Sequence, residues 1–322
     1  MSLKFVVSFL AVCLGSSLTI VTFAGFAGAF WWGFDLLDHF RWQYCWLFLV
    51  PLLIGVWFRQ RFTLLFLPAF LVNVFLVGSL AIPHTEKSAG QQISVFHANI
   101  DFTNPSPGRV LAHLNSTLYD VILLQEVTPD ILPILEEGLP GYRMVIANPK
   151  NNSHGSAMFV PEDSTLEITH SEVISFDRFS KRPLIVADIE FEGLTLSLMS
   201  IHLTRPSHAN SAGAQKREFA ELATWADKQK EKGKSVVIIG DFNVTPWSQM
   251  FLKLLQDANL RNSQQGYALQ MTWPNHLPKL FQIAIDHAVH SNELVTTHRV
   301  TGPDLGSDHL PLAITLVKSS DK

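Results

Sequence analysis

Six strand-length apolar runs in this sequence each end in, or begin beside, a side chain able to bind a cation or move a proton. Asn99 follows Ile93–Ala98, Glu126 closes Ile122-Leu123-Leu124-Gln125, and His202 follows Leu196–Ile201. Asp241 and Asn243 follow Val236–Gly240, Asp286 heads the run to His290, and Asp308-His309 precede Leu312–Val317. Any one of these alone is more often a turn former, a cap or an exposed polar group. Strands whose ends converge, however, gather such groups around one cleft.

The chemistry that suits the set is attack on a phosphate ester. Such an ester resists nucleophiles because its oxygens are negative and its alkoxide leaves poorly. The hard carboxylate oxygens of Glu126 and Asp308 suit Mg²⁺ or Mn²⁺, which neutralises charge as it develops. An Asp beside an Asn holds and deprotonates an attacking water. A His paired with a carboxylate keeps one tautomer and a raised pKa, fit for bonding a phosphate oxygen. Asp286 and His309 are candidates for that pair.

Other catalytic motifs are excluded. Gly233-Lys234-Ser235 imitates the end of a phosphate-binding P-loop, but position 228 is Lys where the loop needs its first Gly, and the segment leads into a strand. The sequence contains no His-Glu-x-x-His and no Gly-x-Ser-x-Gly. Both cysteines, Cys13 and Cys45, lie in the N-terminal part, so the rest of the chain has neither a disulfide framework nor a cysteine-ligated zinc site.

Gly240-Asp241-Phe242-Asn243 and Ser307-Asp308-His309 resemble motifs of the endonuclease/exonuclease/phosphatase (DNase I-like) superfamily. Asn99, Gln125-Glu126, Ser200-Ile201-His202-Leu203 and Ile285-Asp286-His287 occur in that family's order and approximate spacing. The resemblance runs from about Ile93 to Val317. It implies a four-layer α/β/β/α sandwich of two mixed sheets and a Mg²⁺- or Mn²⁺-dependent phosphoesterase. Glu126 then resembles the principal metal ligand, with Asn99 and Asp308 close by, and Asp241 the residue that activates water. Asn243 resembles the residue that holds phosphate and water, and His309 the phosphate-binding histidine supported by Asp286. His202 stands where DNase I-like and sphingomyelinase-like members carry a histidine. Arg182, in Lys181-Arg182-Pro183, matches a phosphate-contacting arginine; a surface salt bridge is its equal alternative. His154 falls near the cleft with no assigned role, and His287 reads as a packed strand residue.

The elements that must position these residues are short strands mixed with helices. Apolar runs at 93–99, 121–127, 143–147, 157–160, 184–191, 194–202, 235–239, 285–290 and 312–317 predict strands. Phe219, Leu222, Ala223 and Ala226 share one helical face, and a second helix starts near Pro246 with Phe251, Leu254 and Leu255. The 184–191 and 194–202 runs, joined across Glu192-Gly193, predict a hairpin. Hairpins mixed with helices predict an α+β sandwich with helices outside, in one domain over 93–318. The Lys228, Lys230, Lys232, Lys234 cluster reads as a solvated helix C-terminus, with an anionic-lipid patch as the alternative.

The N-terminal part reads as a membrane domain. Of 322 residues 47% are hydrophobic and 16% charged, and up to residue 82 the only charges are Lys4, Asp35, Asp38, Arg41, Arg59 and Arg61. The whole chain has 24 Lys and Arg against 28 Asp and Glu, so the remainder is near −6, a poor start for gripping nucleic acid by charge alone. Charge-free runs predict three transmembrane helices over about 5–30, 42–58 and 62–82, with residues 83–92 as linker. Pro51 and Pro68 are expected to kink their helices. Cleavage after Ala27-Gly28-Ala29 would leave two spans. Basic residues stay cytoplasmic, which puts Lys4, Arg59 and Arg61 inside and the catalytic domain on the periplasmic side of a bacterial inner membrane. The expected function is a nuclease-like phosphodiesterase on a phosphate-ester substrate (nucleic acid or lipid headgroup); a lipid-headgroup or small-molecule phosphatase or phosphodiesterase, and a non-catalytic metal-binding module, are the alternatives. No obligate protein partner is evident. The stretch Thr272–Phe281 reads plainly as a Pro-bounded loop packed on the core, or else as a substrate-side loop that dips into lipid.

Overall fold

The computed structural model describes residues 2–83, 88–104, 107–176 and 182–320. Residues 84–87 of the expected linker, and Lys181 beside Arg182, lie outside them.

The N-terminal module is a bundle of α1 (Leu3–Gly25), α2 (Trp32–Asp38), α3 (Arg41–Trp57), and a 3₁₀ segment Arg61–Phe66 that runs into α4 (Leu67–Ser79). By length and composition two helical segments, Leu3–Gly25 and Arg61–Ser79, are able to cross a membrane, or three if the bent pair α2 and α3 is one span. The first expected helix thus stops five residues early. The chain then makes α2, which the sequence reading did not foresee, at 69° to α3. Pro51 lies inside α3, whereas Pro68 sits in the first turn of α4, where its missing N–H costs nothing. Leu18, Tyr44, Phe48, Phe66 and Ala69 pack the bundle's centre. At one end Lys4 lies over the Phe58 ring and Gln60 donates to the Ser8 hydroxyl, which groups Lys4 with the Arg59-Gln60-Arg61 turn. The domain that follows joins the opposite end, where Trp247, Ser248 and Gly266 bond to Leu76, Asp35 and Leu80.

That domain contains β1 (Ser88–Asn99), α5 (Pro107–Ser116), β2 (Val121–Gln125), α6 (Ile131–Gly138), β3 (Tyr142–Asn148), β4 (Ser156–Pro161) and β5 (Glu167–Ile174). It continues with β6 (Leu184–Phe191), β7 (Leu194–His202), α7 (Ala209–Glu231), β8 (Ser235–Asp241), α8 (Gln249–Asp257), β9 (Arg261–Asn262), β10 (Asp286–His290), β11 (Leu294–Thr301) and β12 (Leu312–Ser319). The first sheet has the order β11-β12-β1-β2-β4-β3 and the second β5-β6-β7-β8-β10-β9. Each has one parallel pair near its centre, β1/β2 in the first and β7/β8 in the second, flanked by antiparallel neighbours.

Side chains alternate across each strand, so the two faces of each sheet feed two different cores. Val95, Val121 and Leu123 of one sheet meet Ile185, Leu198 and Val237 of the other between the sheets. The opposite faces pack outward. Phe96, Ile122 and Leu124 lie under α5 and α6, and Met199, Val236 and Ile238 lie under α7 and α8. The result is the expected α/β/β/α sandwich. The β6–β7 hairpin turns at Glu192 and Gly193, both at positive φ, as a tight two-residue turn between right-twisted strands requires. Within the lysine cluster Lys230 pairs with Asp227 and Lys234 with Asp188 at 2.6 Å, while Lys228 and Lys232 are exposed at the end of α7.

Candidate active site

The candidate residues converge because both parallel pairs end at the same edge of the sandwich. Asn99 lies opposite Gln125 in the β1/β2 register, and His202 opposite Asp241 in β7/β8. Asp286 opens β10 directly across from Asp241. Two backbone features seat them. Glu126 is at φ 65, a conformation costly for a non-glycine residue, and marks the abrupt end of β2. Gly240 is at φ 152, and a Cβ there would meet the Ile201 carbonyl oxygen at 1.9 Å. Only glycine lets β8 approach β7 at the level of Asp241.

Asp241 is the centre of the cluster and is buried. Its Oδ1 accepts from the Asn243 backbone N–H (2.8 Å) and its Oδ2 from Asn243 Nδ2 (3.1 Å). His202 Nε2 lies 3.4 Å and His309 Nε2 3.8 Å from the same Oδ2. Asn243 stands at φ 54, which Asn tolerates well, and its Nδ2 also donates to the Leu203 carbonyl. Burial pushes the Asp241 carboxyl up to about 7, against the pull of His309.

Asp286 is fully buried between two histidines. Its Oδ2 faces His309 Nδ1 at 2.9 Å and its Oδ1 faces His97 Nε2 at 3.1 Å. Thr272 Oγ1 accepts from the Asp286 backbone N–H and fixes this strand end. Burial alone would raise the Asp286 pKa, but the two imidazoles outweigh it and hold the group ionised. Burial likewise opposes charge on His309, yet Asp286, Asp241 and Asp308 raise it to about 10. His309 is therefore an imidazolium with one ring nitrogen fixed on Asp286 and the other facing the cleft. His202 goes the other way: burial and the Arg182 charge keep it neutral.

His97 is a residue that the sequence reading missed. It shares with Val95 and Asn99 the face of β1 that looks at the other sheet, and a histidine in that apolar register was the signal available. His287 alternates to the opposite face. It packs against Phe251 and contacts the Val244 carbonyl at 2.8 Å, outside the cluster.

Glu126 stands on the first sheet's side. Its Oε1 accepts from Asn99 Nδ2 (2.9 Å) and its Oε2 from the Phe102 N–H (3.1 Å), and burial raises its pKa despite both. His202 Nδ1 lies 4.0 Å away and has no hydrogen-bond partner. A desolvated carboxylate beside a neutral imidazole calls for a cation. Among the described residues no group of three His, Cys, Asp or Glu forms a metal cage. The oxygen donors offered here, the Glu126 and Asp308 carboxylates, are of the type that suits hard divalent ions such as Mg²⁺ or Mn²⁺, which bind through one or two carboxylates and keep several waters. Asn99 orients Glu126 while its own Oδ1 accepts from the Asp101 N–H. Asp308, half exposed at the rim, accepts from Trp273 Nε1 (2.9 Å) and lies 3.9 Å from His309 Nε2.

Arg182 also reaches the cleft. Its Nη1 is buried and has no hydrogen-bond partner among the described residues, and burial lowers its pKa although Glu218, Asp241 and Glu126 oppose that. A guanidinium N–H left bare beside this cluster is suited to an anionic oxygen. His154 lines a small cavity with Arg182 and His202. All the predicted site residues except Asp286 line one open cleft of about 790 Å³. Asp286 lies behind His309.

Comparison with known proteins bears on the fold and the family. A region of 29% identity over 128 residues relates the chain to tyrosyl-DNA phosphodiesterase 2 of Gallus gallus; it spans 39% of this chain and 32% of that one, so the match covers about a third of the relative. An endonuclease/exonuclease/phosphatase family protein of Bacteroides thetaiotaomicron has a similar structure (TM-score 0.58, 19% identity, 71% of this chain and 98% of that one). So does a mannosyl-6-phosphatase of the same organism (TM-score 0.57, 17% identity, 70% and 99%). Residues 96–309 match the Endonuclease/Exonuclease/phosphatase family as a whole. The chain belongs to that family of phosphoester hydrolases.

Proposed function

We propose that this protein is a membrane-anchored phosphodiesterase that uses Mg²⁺ or Mn²⁺ and an attacking water activated at Asp241. The observation that carries the reading is the meeting of three groups at one carboxylate oxygen. Asp241 Oδ2 has Asn243 Nδ2 at 3.1 Å, His202 Nε2 at 3.4 Å and His309 Nε2 at 3.8 Å. In this reading Asp241 takes the water's proton as the new P–O bond forms and the bond to the leaving alkoxide breaks. A base near pKa 7 is matched to that task. Asn243 holds the water. The His309 imidazolium, fixed by Asp286, bonds a phosphoryl oxygen and offsets the charge that builds there. Arg182 Nη1 takes a second oxygen, and His202, kept neutral, lies between Glu126 and Asp241. Glu126, with Asn99 and Asp308 nearby, would hold the metal, which supplies Lewis-acid neutralisation of the phosphate when bound.

The anchoring is read from the apolar helices. Lys4, Arg59 and Arg61 gather at the end remote from the catalytic domain, and basic residues stay in the cytoplasm, so we place the active site on the extracytoplasmic face of a bacterial inner membrane. The test is hydrolysis of bis(p-nitrophenyl) phosphate by the full chain, with and without Mg²⁺ and after chelation. We expect a metal-dependent rate that falls by about 10²- to 10⁴-fold in Asp241→Asn. A rate that survives both chelation and Asp241→Asn refutes the proposal.

A further inference from the structure

The cleft is not built from the catalytic domain alone. Trp32, Leu36, His39 and Phe40, from α2 and the turn after it, line the same cavity as Glu126, Asp241 and His309. The junction that puts them there is extensive and polar. Asp35 is buried and caps α8: its carboxylate accepts from the Ser248 hydroxyl and the Gln249 N–H, both at 2.7 Å. His39 Nδ1 lies 3.3 Å from Thr245 Oγ1, two residues beyond Asn243. Gln43 donates to the Leu280 and Gln282 carbonyls, Trp247 Nε1 to the Leu76 carbonyl, and Gly266 N–H to the Leu80 carbonyl. A helical segment that served only as a tether has no need of these contacts or of a place in the cleft wall.

The cleft carries apolar as well as charged surface. Beside the charged cluster, Trp32, Leu36, Phe40, Phe102, Trp273 and Ile283 line it, along with polar groups such as Thr103 and Asp308. Phe40 and Phe102 are 44% and 41% exposed, large aromatic surfaces that are not fully covered among the described residues. Beyond them the loop after Trp273 rests on α3 and presents Leu277, Leu280 and Phe281 to the outside, the last 59% exposed. Among the described residues lining the cleft, the permanent cations are Arg182 and Arg205, and Arg205 lies over the Trp273 ring. A nucleic-acid groove needs a row of cations spaced along a backbone; two arginines do not make one.

Depth in the bilayer follows from the aromatic residues. Trp31, Trp32, Trp42 and Trp46 cluster at the end of the bundle that meets the catalytic domain. Trp57 lies at the other end of α3, about 25 Å away at 1.5 Å per residue. Tryptophan settles at the headgroup level of a membrane. The mouth of the cleft, lined by Trp32, then sits at that level too.

We infer that the substrate is a membrane lipid phosphoester, whose apolar portion stays in the bilayer and packs on Leu36 and Phe40 while its phosphate reaches Arg182 and His309. The inference rests on the phosphoesterase reading above and names the substrate class of that site. The occupant of the apolar wall is lipid because the wall is continuous with the membrane-crossing helices and opens at headgroup depth. Entry is lateral, from the leaflet into the cleft.

The test uses the full chain in vesicles of phosphatidylethanolamine, phosphatidylglycerol and cardiolipin with Mg²⁺, and follows released phosphate-bearing products by mass spectrometry. Bis(p-nitrophenyl) phosphate and single-stranded DNA are offered in parallel. Phe40→Ser and Leu36→Gln are the variants, the second kept in case the first fails to insert; Leu118→Ser, exposed ahead of β2, is the control. The expected result is lipid turnover, with the ratio of vesicle to soluble-diester rate falling about tenfold in each wall variant and unchanged in the control. A tenfold change corresponds to part of one aromatic side chain's burial. Hydrolysis of the soluble diester with no lipid product, or with a ratio unmoved by the wall variants, overturns the lipid assignment and leaves the phosphoesterase standing. DNA cleavage without lipid turnover points to a nuclease and also overturns it. No turnover of any of the three overturns both readings.

Discussion

Gly240 offers the sharpest test of how the site is seated. In Gly240→Ala the new Cβ would stand 1.9 Å from the Ile201 carbonyl oxygen and 2.8 Å from both the Ile201 carbonyl carbon and Gln125 Nε2. Ordinary contact between such atoms starts beyond 3.4 Å, so β8 must withdraw from β7 by more than 1 Å. The backbone cannot relax by rotation either, since φ 152 is open to glycine and strained for alanine. Strain of about 1–3 kcal/mol at such a φ adds to about 1–3 kcal/mol of overpacking. The expected destabilisation is therefore about 2–6 kcal/mol. Asp241, the next residue, moves with β8, and a displacement of that size costs roughly 10²-fold in rate. The measurement is thermal unfolding of the purified full chain together with bis(p-nitrophenyl) phosphate hydrolysis. Gly213→Ala in α7 is the counterpart: its Cβ meets nothing nearer than Arg217 Nη1 at 3.6 Å, and it should gain up to about 1 kcal/mol from helix propensity. If both substitutions leave stability within 1 kcal/mol and the rate intact, the argument that close strand approach places Asp241 is wrong.

Two further outcomes follow from the same geometry. Arg182→Ala should raise KM for the soluble diester by roughly 10- to 100-fold with a smaller change in kcat, as loss of one charge-assisted bond to a phosphate oxygen implies; an unchanged KM assigns Arg182 to structure alone. His287, buried first and then repelled by Arg299, has its pKa lowered to about 3, so the unfolded chain binds its proton more readily. Its stabilising contribution is whole above pH 6.5 and is lost as pH falls toward 3, by roughly 2–3 kcal/mol at pH 4.5. Unfolding curves of His287→Phe against the parent between pH 7 and 4.5 should show a shallower fall in the variant; parallel curves would contradict it.

Much of the catalytic domain was legible because its central strands are buried on both faces and write themselves as unbroken apolar runs. β6 and β7 fall at the expected residues, and the polar groups that end such runs are the ones the structure gathers. β5 and β11 escaped the same reading. Both are sheet edges, and their Glu167–Ile174 and Leu294–Thr301 segments mix polar residues into both faces. α5 and α6 escaped because each is short and shows only a few apolar residues, such as Val110 and Leu114, on one face. His97 was hidden by its surroundings, an internal histidine among core residues whose partner, Asp286, is 189 positions away. The contribution of α2 to the cleft could not be read at all. Asp35 and Asp38 looked like the outward loop between two helices, and only the fold shows that Asp35 is the cap of a helix in the other module.

The central strand of the first sheet carries a consequence for how the chain is made. β1 is the first strand after the helices, yet its neighbours are β2 and β12, the last strand of all, paired from Gln92↔Val317 to His97↔Leu312. Synthesis delivers the domain from its N-terminal end, so one side of β1 waits, its hydrogen bonds unmade, until more than two hundred further residues have emerged. An unpaired apolar strand is a template for association with another chain. In the membrane-anchored reading proposed above, each nascent β1 held beside its own helix bundle has neighbours only in the plane of the membrane. A chain cut short before Leu312 would never cover that edge and would stay open to association with other chains.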